Sequence, residues 1–286
     1  MIAVAGGTGR LGTVLVKRLA QRDLDVRILT RDPARARHLS GYAAEVVTCD
    51  VRDPVSVRSA LRGSTTVVSA VHGFAGPGRV SPASVDRDGN ANLVDTAATV
   101  GAEVVLLSVV GASECNPMDL FRAKYAAEQH LRVSGVPWTI VRSTAFVELW
   151  AEIMKKPIVF GRGENPINFV SVDDVAAVVE RAVVDCALRG RVIEVGGPQN
   201  LTFNELASLL QRLRGRPGVV RHVPRAVLRA VAPFARQARA AIAMDTLDMT
   251  FDASGAGEAP AQLPMTDVES ALRREGNSHV DRVEVG

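Results

Sequence analysis

The sequence is poor in aromatic residues, in cysteine and in long apolar runs. The lack of apolar runs argues against a membrane protein, and the few cysteines argue against a disulfide-linked one. Phe, Trp and Tyr make up only 4% of the 286 residues, and the abundant Ala and Val suit tightly packed parallel βα units. No window approaches the ~18 uninterrupted apolar residues of a membrane span. The N-terminus lacks the basic segment and apolar stretch that mark a signal peptide. We therefore expect a cytoplasmic protein without a membrane span.

The cysteine content and the net charge argue against further kinds of protein, namely disulfide-linked, metal-binding and nucleic-acid-binding ones. Cys49, Cys115 and Cys186 are an odd number without CxxC spacing, which predicts reduced thiols and neither a disulfide framework nor a metal site. Hydrophobic residues make up 47% and charged residues 23% of the chain, an ordinary globular composition. The net charge of +3 is small and gives no reason to expect a nucleic-acid partner.

The charge is nevertheless distributed unevenly. No acidic residue occurs between Glu205 and Asp245, whereas this stretch contains eight arginines, namely Arg212, Arg214, Arg216, Arg221, Arg225, Arg229, Arg236 and Arg239. Such a run is most often a solvated helix face. It also fits a lid over an anionic ligand or a surface that meets a partner, and the sequence leaves these three interpretations open.

In the first half of the chain, short apolar runs alternate with amphipathic helical patterns. The apolar runs predict buried strands at Ile2–Ala5, Val26–Thr30, Val46–Thr48, Thr66–Ala70, Val104–Ser108 and Thr139–Arg142. The helical patterns predict helices at Leu11–Arg22, Ala34–Leu39, Val55–Leu61, Asn90–Val100 and Leu120–Ser134. Asp32-Pro33 and Asp53-Pro54 are typical of an N-cap followed by the first helical residue. The alternation predicts a doubly wound α/β fold with a parallel sheet.

After about residue 145 the pattern loosens. The sequence there predicts a strand at Ile167–Val170, a helix from Asp173 through Val184, a strand at Val192–Val195 and a helix at Thr202–Leu213 with a Thr202/Glu205 capping box. We expect residues 1–145 to form the core, with 170–186 packing back onto it. Residues 146–169 and 187–286 are expected to form a smaller substrate lobe at the C-terminal edge of the sheet, where open α/β sheets bind ligands.

A glycine-rich turn joins the first predicted strand to the first predicted helix. Its residues are Gly6, Gly7, Thr8, Gly9, Arg10, Leu11 and Gly12. Glycines at this spacing permit a tight turn, a close approach of backbone N–H groups to phosphate, and close helix–strand packing. The helix N-terminus adds a partial positive charge. The turn therefore predicts a dinucleotide-binding site that holds the diphosphate.

The end of the second strand predicts which dinucleotide is bound. NAD-preferring proteins carry an acidic residue there for the ribose 2′-hydroxyl, whereas this chain has Arg31, with Arg35 close behind. A guanidinium suits a 2′-phosphate. Asp32 fits better as the N-cap before the following proline. These residues predict NADP(H), bound as NADPH, in preference to NAD(H).

Loops after the next strands are expected to extend this site. Asp50, with Val51, follows the third strand and is placed to meet the adenine, although an N-cap-like turn residue fits Asp50 equally well. Ser69, Ala70 and Val71 follow the fourth strand and are expected to run along the ribose and diphosphate. His72 is the titratable residue of that loop. We place it on the substrate side, although a lone histidine in a loop is more often solvated than catalytic.

These residues and several further motifs resemble the NmrA-like, atypical members of the extended short-chain dehydrogenase/reductase superfamily. Over roughly residues 1–210 the shared segments are Ala5–Gly12, Thr30–Pro33, Asn90–Asp95, Leu106–Gly111, Phe121–Lys124, Gly135–Arg142, Val172–Ala176 and Glu194–Pro198. The resemblance implies a Rossmann-type core, an NADP cofactor, and a pocket for an apolar or aromatic small molecule between the core and the C-terminal lobe. It does not predict an oligomeric state.

One residue departs from the Tyr-dependent members of that superfamily. Those members use a Ser to polarise a carbonyl, a Tyr as acid, and a Lys four residues after the Tyr. Ser108 and Lys124 match the Ser and the Lys and are the candidate catalytic pair, but the Tyr position holds Leu120. Lys124 also fits a surface lysine, and Ser108 a residue that merely ends its strand.

The missing tyrosine shapes three functional hypotheses. A positioned acid is worth ~10²–10⁴-fold in ketone reduction, whereas a quinone can be reduced without one. The first hypothesis is an NADPH-dependent reductase of a quinone or a conjugated carbonyl. The second is a non-catalytic NADP(H) sensor that docks a partner protein. The third is a tailoring reductase or isomerase of secondary metabolism that uses another acid, such as Ser113, Glu114 or Asp119.

The family pattern also suggests contacts further along the chain. Ser143 and Thr144, after the sixth strand, are expected to pass the nicotinamide, although Ser143 replaces the proline common in the family. An apolar pocket beside it would be lined by Phe146, Trp150, Phe160 and Phe169. The alternative is that these aromatic residues form the core of the smaller lobe.

Overall fold

The computed structural model describes residues 1–73, 80–215, 218–252 and 264–283. The chain divides into two compact units, of which the first contains Met1–Arg142 and Val175–Glu194 and the second Ser143–Asp174 and Val195–Gly286. Arg216 of the arginine-rich stretch lies outside the described residues.

The secondary structure of the described residues follows the strand–helix alternation of the sequence in the first unit. The strands are β1 (Ile2–Ala5), β2 (Val26–Thr30), β3 (Glu45–Thr48), β4 (Thr66–Ser69), β5 (Glu103–Val109), β6 (Trp138–Ser143), β7 (Ala145–Phe146), β8 (Ile158–Phe160), β9 (Ile167–Val170), β10 (Arg191–Val195), β11 (Gln199–Leu201) and β12 (Arg221–Val223). The α-helices are α1 (Arg10–Ala20), α2 (Pro54–Ala60), α3 (Asp88–Val100), α4 (Asp119–Val133), α5 (Val147–Ile153), α6 (Val172–Val184), α7 (Phe203–Leu213), α8 (Arg225–Val231), α9 (Arg236–Met244) and α10 (Val268–Val283). Short 3₁₀ helices occupy Pro33–Leu39 and Cys186–Leu188, and a π-helical segment occupies Pro82–Arg87.

The first unit is built on a seven-stranded sheet with the order β10-β6-β5-β4-β1-β2-β3. Strand β1 pairs in parallel with β2 and β4, β2 with β3, and β4 with β5. The strand order reverses between β1 and β4, which makes this the switch point where doubly wound sheets bind ligands. The predicted fold class is confirmed.

Aliphatic packing and local capping explain why these segments adopt these elements. All four residues of β1 are buried, and α1 buries Leu15, Val16 and Leu19. Asp32 and Asp53 accept hydrogen bonds from backbone N–H groups two residues on, each 3.0 Å long. Both aspartates are therefore the N-caps that the sequence predicts, although the segment after Asp32 is a 3₁₀ helix instead of an α-helix.

Strand β10 departs from the expected domain boundary. The sequence assigns residues from 187 onward to the smaller lobe, but Arg191–Val195 is the edge strand of the large sheet, beside β6. An ion pair helps to hold the preceding turn, because Arg189 donates to both carboxylate oxygens of Glu103 at 2.5 and 2.6 Å. A charge pair between residues 86 positions apart has no local signature, so the sequence pattern misses it.

The second unit has two small sheets, ordered β11-β9-β7 and β12-β8. The expected capping box of α7 is confirmed, since Glu205 N–H donates to Thr202 Oγ1 at 3.1 Å and Thr202 N–H to Glu205 Oε2 at 2.8 Å. Helix α6 begins one residue earlier than expected. Its first N–H, from Val172, donates to Glu148 at 3.0 Å, so a carboxylate from α5 opens this helix and Asp173 does not.

Other expected properties can be compared with the described residues. None of their helices combines the length and apolar character that a membrane crossing needs. Cys49, Cys115 and Cys186 are free, and burial raises the pKa of the Cys49 thiol. In the described part of the chain, no group of three His, Cys, Asp or Glu side chains is arranged to hold a metal ion.

Helix α4 offers a matched test of the core. Leu131 is fully buried, whereas Val133 is 82% exposed two residues later. Leu131→Ala should lower the free energy of unfolding by about 2–5 kcal/mol, because it leaves a cavity. Val133→Ala should change it by no more than about 0.5 kcal/mol. Urea unfolding followed by circular dichroism measures both, and equal effects would contradict the packing of α4.

Candidate functional site

The glycine turn between β1 and α1 has no room for side chains. A Cβ atom added to Gly12 would lie 2.2 Å from the carbonyl oxygen of Gly6, and one added to Gly6 would lie 2.6 Å from that of Ala70. Gly6 also has a φ of 82°, in the left-handed region that favours glycine. Glycine at these positions therefore allows β1, α1 and the loop after β4 to pack together.

The N-terminus of α1 is arranged to bind an anion. Gly9 is its N-cap and supplies no side chain, and the first turn contains no acidic residue. The backbone is closed by a hydrogen bond from Gly9 N–H to the Gly6 carbonyl, 2.9 Å long. The remaining N–H groups and the positive end of the helix dipole favour phosphate. Thr8 is part of this turn, and its hydroxyl lies 3.3 Å from that of Thr30.

Side chains at the carboxyl end of β2 carry the positive charge that a 2′-phosphate requires. Arg31 and Arg35 are both exposed there. The carboxylate of Asp32 is engaged as the helix cap, which agrees with its expected structural role. The turn from Gly6 to Gly12 and the two arginines lie in the same unit, so the residues present fit an NADP-type dinucleotide.

Asp50 is held by a residue that the sequence analysis does not single out. Arg52 donates to the Asp50 carboxylate through Nε at 2.9 Å and Nη2 at 2.5 Å. This pairing, helped by Arg31, holds the pKa of Asp50 below its usual value. Val51 is buried, and its carbonyl accepts from the side chain of Asn92 at 2.8 Å. An adenine contact to the Asp50 carboxylate stays a prediction and would have to share that group with Arg52.

The loop after β4 combines buried and exposed residues. Ser69 is buried, and its hydroxyl donates to Asn90 in α3. Ala70 and Val71 are half-buried beside the glycine turn, and His72 is exposed. The loop therefore lies next to Gly6, and its contact with a ribose or a diphosphate stays a prediction.

Lys124 is engaged entirely inside the protein. It is only 3% exposed, and its Nζ donates to the carbonyls of Val71 at 2.9 Å and Leu107 at 3.0 Å. The carboxylate of Asp86 lies 3.1 Å away. The alternative interpretation of a surface lysine is wrong, because the ammonium joins the ends of β4 and β5 to the π-helical segment.

Ser108 is likewise buried in a polar network. Its hydroxyl donates to Glu128 at 2.5 Å. Arg142 donates to the same carboxylate through Nε at 2.9 Å and Nη2 at 2.6 Å. A further bond of 3.2 Å joins Arg142 to Glu194 in β10. Ser108 therefore helps to hold α4 against the sheet, a role that its sequence position alone does not reveal.

The expected catalytic pair is thus not presented to a ligand. Ser108 and Lys124 have their polar atoms bonded to other protein groups in this structure. Leu120 is half-buried in the first turn of α4, where it offers no proton. Direct contact of Ser108 or Lys124 with a substrate stays a prediction, and the geometry favours a positioning role for both.

The aromatic residues expected to line a pocket do not form one group. Phe169 is 0% exposed, so it is a core residue of the second unit and the interpretation as a pocket residue is corrected. Phe203, which the sequence analysis does not single out, lies with its ring centroid 4.7 Å from that of Trp150 and 6.1 Å from that of Phe169. Phe146 is half-buried, and Phe160 is 46% exposed. For Phe169, the alternative interpretation as a core residue of the smaller lobe is therefore the one that agrees with the structure.

Ser143 is the last residue of β6, and Thr144 follows it. Ser143 is buried. The backbone N–H of Thr144 donates to the Val195 carbonyl at 3.0 Å, and its hydroxyl donates to Asn168 at 2.8 Å. The side-chain NH₂ of Asn168 donates to the Gly197 carbonyl at 3.0 Å, and the Gly197 N–H donates to the Asn168 side-chain oxygen at 2.9 Å. These bonds fix the course of the chain after β6, and a nicotinamide contact of either residue stays a prediction.

Comparisons with known proteins give one family. A family model described as NAD(P)H-binding matches residues 6–185. The NAD(P)H azoreductase of Xenophilus azovorans is 30% identical over 78% of this chain and 76% of its own length. A photosystem II assembly factor of Synechocystis is 27% identical over 82% of this chain and 74% of its own length. A crystal structure of an NADPH-dependent quinone oxidoreductase from Escherichia coli, complexed with NADPH, has the same fold, with a TM-score of 0.77. The two sequences are 20% identical, and the alignment covers 97% of this chain and 100% of that chain.

The glycine turn can be tested by one methyl group. In Gly12→Ala the added Cβ meets backbone atoms of Gly6 and Gly7 at 2.2 and 2.6 Å, so α1 has to move from the turn. We expect this overpacking to lower the free energy of unfolding by about 1–3 kcal/mol. We also expect the NADPH affinity, measured by fluorescence titration, to become at least tenfold weaker. Gly41→Ala, with no atom within 4 Å of its added Cβ, is the control and should leave both quantities unchanged. Unchanged NADPH affinity in Gly12→Ala would refute the assignment of the turn.

Proposed function

The chain belongs to the NAD(P)H-binding family, and from that membership we propose that it is an NADPH-dependent oxidoreductase that reduces a flat, conjugated acceptor such as a quinone or an azo compound. The observation that carries the proposal is the state of the site around α4, where Leu120 takes the place of the usual acid. Bound NADPH would supply a hydride, and the residues of this chain bind and orient both reactants.

The absent acid limits which acceptors can be reduced. Hydride addition to an isolated ketone leaves a localised alkoxide, so the reaction depends on a positioned proton donor. Hydride addition to a quinone leaves a phenolate, whose charge is delocalised and which takes its proton from water. The similarity to an azoreductase and to a quinone oxidoreductase supports acceptors of this type.

The preference for NADPH is supported by charge at the end of β2. Arg31 and Arg35 are exposed at that point, and the carboxylate of Asp32, which lies between them in the sequence, is used as a helix cap. A carboxylate engaged in this way is not presented to a ribose hydroxyl. A guanidinium forms paired hydrogen bonds with phosphate oxygens, so it gains more from a 2′-phosphate than from a hydroxyl.

A second candidate function is a regulator that binds NADP(H) and docks a partner protein. It is favoured by the surface of α8 and the turn that follows it, where Val227 and Val231 of the helix are exposed and Phe234 of the turn is 91% exposed. Arg229 and Arg236 are exposed beside them. An exposed apolar stripe with neighbouring arginines is typical of an interaction surface. The similarity to an assembly factor agrees with this alternative.

The preference for NADPH can be measured with a charge reversal. Arg31→Asp should weaken NADPH binding about tenfold or more, because it removes a charged hydrogen bond to the 2′-phosphate, and should leave NADH binding nearly unchanged. Arg58→Asp, an exposed arginine on α2, carries the same charge change and should alter neither affinity. Fluorescence titration with both cofactors decides the matter, and equal weakening of NADPH and NADH by Arg31→Asp would show that Arg31 does not meet the phosphate.

Turnover separates the two candidate functions. Purified protein should oxidise NADPH in the presence of quinones or azo dyes and should be far slower with isolated ketones. The measurement is the absorbance of NADPH at saturating acceptor. Tight NADPH binding without oxidation by any acceptor of the panel would reject the reductase and leave the regulator as the better account.

A further inference from the structure

His72 stands in a loop whose backbone is fixed on both sides. On its N-terminal side the carbonyl of Val71 accepts a hydrogen bond of 2.9 Å from Lys124 Nζ. On its C-terminal side the N–H of Gly73 donates to Asp86 Oδ2 at 2.7 Å. Asp86 Oδ1 and Lys124 Nζ lie 3.1 Å apart. One buried ion pair therefore holds the peptide groups before and after His72.

The packing of this loop adds a second restraint. A Cβ atom added to Gly73 would lie 2.2 Å from the carbonyl oxygen of Ser81, so the loop lies directly against the segment that carries Asp86. Asp86 and Lys124 are almost completely buried. A protein in which apolar residues of similar volume replace a buried ion pair is often as stable as the original. The pair therefore has a consequence besides stability, which is to fix the position of the loop.

The side chain of His72 is the part of this arrangement that reaches the surface. It is exposed, and its ring nitrogens have no hydrogen bond to any residue within the described ranges. Ser69, by contrast, is bonded internally to Asn90. The fixed backbone thus presents a polar ring to whatever binds at this edge of the sheet.

The location of the loop connects His72 with the candidate cofactor site. Ala70, two residues before His72, has its carbonyl oxygen within 2.6 Å of where a Gly6 Cβ would be. The loop therefore continues from the phosphate-binding turn at the β1/β4 switch point, where doubly wound sheets bind their ligands. His72 is the titratable side chain of residues 69–73.

We propose that His72 donates a hydrogen bond to the reducible group of the acceptor, and that Asp86 and Lys124 are positioning residues that fix its backbone. This inference rests on the proposed reductase function. A quinone oxygen or an azo nitrogen accepts such a bond, and both become better acceptors as negative charge develops on them. The bond therefore orients the acceptor and strengthens as hydride arrives.

The protonation state of His72 agrees with this role. Desolvation of the ring lowers the pKa of His72, although the residue as a whole is exposed. The facing charges oppose each other, since Asp86 raises this pKa and Lys124 lowers it. A pKa below the usual value keeps the ring neutral at pH 7, where it offers one N–H donor.

The role of the ring is tested with a matched set of variants. His72→Leu should lower kcat/KM for the acceptor about tenfold, the usual effect of one lost hydrogen bond, and should leave the NADPH dissociation constant unchanged. His72→Gln keeps an N–H donor and should restore most of the loss. His130→Gln, on α4 in a surface pair with Asp95 of α3, is the control and should behave as wild type. Equal activity of His72→Leu and wild type would overturn the proposal.

The positioning role of Asp86 is tested by a double-mutant cycle. If Asp86 acts through His72, Asp86→Asn combined with His72→Leu should be no slower than the slower single variant. Effects that multiply would show a general structural role and overturn this part. In NMR titrations of the unliganded protein, Asp86→Asn should lower the pKa of His72 and Lys124→Met should raise it. Should Asp86→Asn fail to fold, Asp86→Leu with Lys124→Met removes both charges and takes its place in the cycle.

A binding measurement separates this proposal from the proposed function. If wild-type protein reduces none of the acceptors, the reductase function fails, but contact can still be measured. A quinone that shifts the His72 ring signals in the protein loaded with NADP⁺ supports contact between the ring and the acceptor. Unshifted His72 signals at saturating quinone overturn it.

Discussion

The ammonium group of Lys124 is the charge around which the carboxyl edge of the large sheet is arranged. An unpaired ammonium in the protein interior costs several kcal/mol, so this group requires acceptors at fixed positions. It finds them in the carbonyls of Val71 and Leu107 and in the carboxylate of Asp86. The ends of β4 and β5 and the π-helical segment are therefore joined at one point, and a shift of any of them would leave a buried charge unsatisfied.

A steric constraint meets this electrostatic one at the β1/β4 switch point. Gly6 and Gly12 allow the turn and α1 to approach the loop after β4 more closely than any side chain would permit. The loop is thereby confined between the glycine turn and the Lys124–Asp86 pair. Two unrelated interactions thus define the same short stretch of backbone, which is the arrangement expected where a ligand has to be placed accurately.

The second unit is organised by buried polar side chains where hydrophobic periodicity is weak. Asp245 accepts hydrogen bonds from the backbone of Arg162 and Gly163 at 3.1 and 3.2 Å and lies 3.1 Å from Arg225. Arg214 donates to the Ala151 carbonyl at 2.8 Å. Some arginines of the basic stretch therefore have structural partners, so a solvated helix face describes only part of it.

The sequence by itself determined the features whose causes are local. The strands of the first unit, the N-caps Asp32 and Asp53, the capping box at Thr202 and the glycine turn all follow from residues within a few positions of one another. Steric limits on glycine and capping by short polar side chains act within one turn of chain, so their patterns can be recognised without the fold. The match to the NAD(P)H-binding family covers residues 6–185, which include the glycine turn and both of these N-caps.

Only the tertiary structure decided how the polar residues of the site are paired. Lys124 and Ser108 could be identified as candidates from their positions, but their partners Asp86 and Glu128 are 38 and 20 residues distant. Strand β10 joined the large sheet for a similar non-local reason. Charge pairs and strand neighbours depend on which segments the fold brings together, and that information has no periodic signature in the chain. The sequence therefore indicated a dinucleotide-binding fold, and only the tertiary structure decided that Ser108 and Lys124 are buried whereas His72 is exposed.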